Sequence, residues 1–111
     1  MALEQANEID SVGIDIQTDN VVLSIIDGVS WENEHDHLIL LQNKINMYLS
    51  FIESGEIFSS YPNAEGHLIV IKVYAKHVMP KKGIEFLEKA SEVIKAAGFK
   101  MQWKITGAES R

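Results

Sequence analysis

Cysteine is absent from the 111 residues, which removes disulfides, thiolate zinc sites, iron–sulfur clusters and cysteine nucleophiles together. Basic residues are few as well: ten Lys plus Arg stand against sixteen Asp plus Glu, a formal net charge of −6. That balance opposes approach to phosphate backbones and anionic lipid, so neither nucleic acid nor a membrane surface is expected as a partner. It suits a basic partner, or simply keeps the chain in solution. No run approaches the ~18 consecutive apolar residues of a spanning helix. The opening MALEQANEID has neither the basic nor the apolar region of a secretory signal. A cytoplasmic location is the expectation. The seven glycines stand singly at turns and caps, so there is no glycine-rich phosphate loop, and no spacing organises His, Asp and Ser residues into a nucleophile elbow. No cofactor and no catalytic residue is assigned, and an enzyme is not expected.

What is present suits one globular domain: 46% apolar and 23% charged residues on a chain long enough for a single core. Residues 1–11 show no periodicity and are expected to fray, as are residues 107–111. The domain is expected over 12–106. Val12, Ile14 and Ile16 alternate with polar or small residues, Asp19-Asn20 interrupts, and Val21 to Asp27 resumes as a β-branched run. This reads as a hairpin. From Trp31 to Ser54 the period becomes 3.6, with Ser30 as the expected N-cap, Glu32 and Glu34 at the positive helix end and Gly55 at the C-terminal cap. A turn-rich loop, 56–66, leads to HLIVIKVYAK, a central strand apolar at almost every position. Pro80 and Gly98 bracket a second helix with one apolar and one charged face, and FKMQWKIT alternates strictly as a last strand.

The order β-β-α-β-α-β, with right-handed crossovers, places both helices on one face of a four-stranded mixed sheet. The fold class is therefore α+β, an α/β two-layer sandwich whose other sheet face is open. Strand orders 1-2-3-4 and 2-1-3-4 both satisfy the argument. The phases place Val22, Ser24, Ile26, Val70, Lys72, Tyr74, Lys100, Gln102 and Lys104 on the open face, where Val70 and Tyr74 are too apolar for a wholly wet surface.

DHLILLQNKINMYLSFIESGE, the SYP that follows it and FLEKASEVIKAAGF resemble a family of small uncharacterised bacterial proteins, a domain of unknown function, over roughly residues 12–103. The resemblance implies a bacterial source and carries no activity or site residue with it.

Two features of the first helix invite a functional reading. Its head gathers Glu32, Glu34, His35, Asp36 and His37, but residues two apart on a helix point apart, so His35 and His37 cannot share an ion and no metal site is assigned. A small-molecule site between this helix and loop 56–66 would draw on His35, Asp36 and Gln42 with Tyr61. The second feature is an apolar back face. Leu38, Leu41, Ile45, Leu49 and Ile52 form a core stripe, while Leu40, Met47 and Phe51 lie nearly opposite, with Lys44 in the intervening turn. That back stripe is covered by loop 56–66, paired with a second copy of the chain, or docked on another protein.

Three functions follow, in order of preference. The first is a non-enzymatic protein-binding module of the inhibitor or immunity type, using Leu40, Lys44, Met47, Phe51, Val70 and Tyr74. The second is a self-associating homodimeric accessory protein. The third is a small-molecule or metal-binding domain.

Overall fold

The computed structural model describes residues 2–5 and 7–106; residues 107–111, expected to be flexible, lie outside them. The sheet is built from β1 (Ser11–Ile14), β2 (Val21–Asp27), β3 (Ile69–Ala75) and β4 (Lys100–Ile105) in the spatial order 1-2-3-4. β1 runs antiparallel to β2, and β2, β3 and β4 are mutually parallel. Of the two orders open to sequence reasoning, the structure adopts the one that leaves short β1 at an edge.

Three helices complete the fold: α1 (Glu34–Glu53), α2 (Glu56–Ser60) and α3 (Lys81–Ala96). The expected α+β sandwich is present, with α2 and a 3-10 turn at Pro62–Ala64 occupying the stretch expected to be loop. Gly55, at φ 83°, both follows the end of α1 and precedes α2, a left-handed conformation that glycine adopts without a Cβ penalty. The N-cap of α1 is Asn33 rather than Ser30: its Oδ1 accepts from the Asp36 amide at 3.1 Å and its Nδ2 donates to Asp36 Oδ2 at 2.9 Å.

The core lies between the sheet and α1, α3. Val21, Leu23 and Ile25 of β2, Ile69, Ile71 and Val73 of β3 and Met101 of β4 meet Leu41, Ile45, Tyr48, Leu87 and Ile94 from the helices. At about 25 cal/mol per Å² of apolar surface, each such fully buried Leu or Ile contributes roughly 1.5–3 kcal/mol before entropy is counted.

Among the described residues before β1, Leu3 departs from the expectation of a flexible segment over 1–11. Leu3, in a 3-10 turn at Ala2–Glu4, is fully buried, and the turn packs against β2 and α1. The segment is a strap alongside α1, and it shares with α2, whose Ile57 is fully buried, the covering for which loop 56–66, a second copy and a foreign protein were the candidates.

Candidate functional site

The polar groups of this fold fall into two buried clusters and one open face. In the first cluster, Lys44 is fully buried, and its Nζ donates to the carbonyls of Gln5 at 2.6 Å and Glu8 at 2.7 Å and pairs with Asp10 Oδ1 at 3.0 Å. Three acceptors match the three protons of an ammonium. Asp10 Oδ2 accepts the Ile26 amide at 2.9 Å, just past the last β1–β2 pairing. The Tyr48 hydroxyl donates to the Ser24 carbonyl at 2.5 Å and accepts from the Asp10 amide at 2.7 Å. Burial pushes the Tyr48 phenol well above its ordinary pKa, so it stays neutral and keeps its proton for Ser24. This network is filled from within the chain, and it holds the strap down.

The second cluster sits at the C-terminal end of β2. His37 Nδ1 donates to the Ser30 carbonyl at 2.9 Å, and its Nε2 lies 2.6 Å from Asp27 Oδ2, both side chains being buried. Asp27 Oδ1 accepts the Val29 amide at 3.1 Å. Trp31 stacks on the imidazole with ring centroids 3.6 Å apart and planes 8° from parallel, and Gly83 of α3 approaches the far edge of the indole. The imidazole is closed in on both edges and one face, so this pair fastens the β2–α1 connection to α3 and offers no open nitrogen to a substrate.

These two clusters correct several expectations. Lys44, a candidate for protein binding, is inaccessible. Leu40, Met47 and Phe51 are half-buried and packed on the core, with Asn7 and Ile9 of the strap beside Met47 and Phe51. His35 and Asp36 are exposed at the head of α1, whereas Tyr61 follows its tail. At about 1.5 Å per residue the two ends of α1 are about 30 Å apart, so these residues cannot form one site. Gln42 faces another direction, onto a groove of about 280 Å³ between α1 and α3. Among the described residues no group of three His, Asp or Glu side chains is placed to hold a metal ion, and no helix is long and apolar enough to cross a membrane.

Of the candidate binding residues, Val70 and Tyr74 lie on the open sheet face, among the outward-facing residues read from the strand phases. Register aligns them in three rows across the strands: Gly13, Val22, Val70 and Lys100; then Ser11, Ser24, Lys72 and Gln102; then Ile26, Tyr74 and Lys104. Val70 is 3% exposed although no helix covers it. The Lys72 ammonium lies 5.1 Å from the centroid of the Tyr74 ring, an attraction that holds a cation in place without neutralising it. Among the described residues no carboxylate pairs with Lys72, Lys100 or Lys104. The first two rows line a concavity of about 350 Å³. One end is walled by the β1–β2 turn, which His67 Nδ1 secures by donating to the Asp19 carbonyl at 2.6 Å.

A family model matches residues 1–107. The chain belongs to the family of unknown function DUF6572. No curated protein and no solved structure matches it. The DUF6572 match takes in the strap as well as the sandwich, and so extends beyond the resemblance over 12–103. What sequence reasoning missed in this DUF6572 chain is the pair of buried clusters. The signal available for them was an alignment of Lys44, His37 and Tyr48 with Leu41 on one helical stripe, at spacings of three, four and seven.

Proposed function

We propose that this chain is a non-enzymatic protein-binding module, of the inhibitor or immunity type, which engages an acidic partner surface with the open face of its sheet. The observation that carries the reading is the composition of that face. It joins Val22, Ile26 and Tyr74 to Lys72, Lys100 and Lys104, in a chain whose net charge is −6. A cationic field on one face of an acidic molecule steers and orients an acidic partner, and aromatic and aliphatic residues between the lysines supply the desolvated centre such contacts require. The back of α1 supports such a reading less well, because Lys44 is fully buried there and Met47 and Phe51 are half-buried beside the strap.

Self-association through the same face is the weaker reading. Two-fold pairing sets identical patches against one another, which would bring the three lysines of each copy towards those of its mate.

Panning a random dodecapeptide display library on the purified chain tests the proposal. Enriched peptides are expected to carry Asp or Glu around an apolar or aromatic residue, and to lose at least tenfold in affinity on a Lys72→Glu, Lys104→Glu double variant that still folds. Enrichment of basic or charge-free peptides, or binding indifferent to the double variant, would overturn it.

A further inference from the structure

The middle row of the open face is polar on every strand. Ser11, Ser24, Lys72 and Gln102 stand directly opposite one another, so neighbouring side chains are about 4.8 Å apart. Each offers a hydrogen-bond donor, and among the described residues none of these four side chains has a hydrogen-bonding partner. The row below is apolar at its centre, with Val22 and Val70 as a floor. At its β1 end it is empty: a Cβ built on Gly13 meets no atom within 4 Å, and the residue's φ lies outside the left-handed region. The glycine therefore answers to no turn and no close backbone approach. It leaves a hollow beside the donor row.

We propose that this hollow is a carboxylate-receiving pocket, which takes one Glu or Asp side chain of the acidic partner, and the proposal rests on the reading of the open face as a protein-binding surface. Lys72 supplies the charge-assisted bond from the middle of the row, Ser24 and Gln102 flank it, and the methylenes of the incoming side chain lie on Val22 and Val70. One half-buried lysine with neutral donors fits a monoanion. A phosphate dianion fits less well: no arginine lines the site, and Asp15 stands on the rim. Lys100, at the other edge, adds long-range attraction without being enclosed.

The test is a ¹⁵N NMR titration with four probes: N-acetyl-glutamate N-methylamide, its glutamine counterpart, inorganic phosphate and a hexaglutamate peptide. The glutamate probe is expected to give saturable shifts centred on residues 11, 13, 22, 24, 70, 72 and 102, the glutamine counterpart none, and phosphate weaker ones. The peptide is expected to bind at least tenfold tighter than the single glutamate. Gly13→Leu, whose Cβ meets no atom within 4 Å and whose branched end fills the hollow, and Lys72→Met should each weaken the glutamate probe at least tenfold while both variants keep the wild-type fold.

Tighter binding of phosphate than of glutamate, or glutamate shifts unchanged in both variants, would overturn the pocket. The two proposals fail separately. Acidic peptides that bind the face but ignore Gly13→Leu and Lys72→Met sink the pocket and leave the face. A glutamate probe that binds as described, in a chain that selects no acidic peptide, sinks the face and leaves a pocket for a free carboxylate.

Discussion

Lys44 carries a full charge to a position with no solvent exposure, and such a charge is tolerable only when every proton is met. Here the carbonyls of Gln5 and Glu8 and the carboxylate of Asp10 do so. Because the partners lie 34 to 39 residues away in sequence, the side chain works as a bolt between distant segments. Lys44→Met keeps the volume and removes the charge, leaving Asp10 as a buried carboxylate without its cation. Breaking a buried pair from one side costs about 3–5 kcal/mol. Urea denaturation is expected to register a loss of that order, and hydrogen exchange should show the amides of the strap and of Ile26 losing protection ahead of the remaining β2 amides. A loss under about 1 kcal/mol would mean that Leu3 and the bonds of Asp10 to Tyr48 and Ile26 hold the strap without the ammonium. Tyr48 and His37 are of the same kind: polar side chains at the bottom of the structure, each with its partners supplied by backbone or by one carboxylate.

At the scale of elements, the strands were legible and the long helix was legible only in part. Alternation has a period of two, and a residue on the wrong face of a strand would expose the core, so the open-face set read from sequence matches the register observed. On α1 the apolar stripes were located correctly, but the arc of burial is centred between them, rotated by about 50° from the stripe taken as core when residues are stepped at 100°. The sheet claims one side of that arc and the strap the other, so Lys44, which the sequence places within the back stripe, is fully buried. No periodicity in residues 2–10 could announce this, since the strap is held by single long-range bonds rather than by a repeating face. The seat of α3 is equally invisible in sequence. A Cβ on Gly83 would lie 2.8 Å from Trp31 Cη2, and the indole cannot retreat because it is stacked on His37. Gly83→Ala gains about 1 kcal/mol of helix propensity but must displace the ring, an overpacking cost of about 1–3 kcal/mol. The balance is expected to be a net loss in thermal unfolding. Combined with Trp31→Phe, which withdraws the ring edge, the same alanine should become neutral or stabilising; a stabilising Gly83→Ala in the wild-type background would show that Trp31 has room to move.

For the whole molecule the decisive property is how charge is distributed, not its sum. Sixteen acids and ten bases suggest a partner of basic character, yet the face that the fold leaves uncovered is cationic, because β3 and β4 spend their outward positions on Lys72, Lys100 and Lys104. The same lysines bear on self-association. Lysine on an outer strand discourages edge-to-edge pairing, and face-to-face pairing would crowd like charges whose repulsion grows as salt is lowered. Light scattering over a concentration series is therefore expected to return the mass of one chain at low ionic strength. Replacing Lys72, Lys100 and Lys104 together by Gln removes the repulsion while Val22, Tyr74 and Ile26 remain, so that variant should associate with rising concentration, as an exposed apolar patch without its charged guard does. A wild-type dimer at low salt that dissociates on Tyr74→Glu would reverse the argument: the lysines would then be finding acids on a second copy, and the acidic partner sought for this face would be the chain itself.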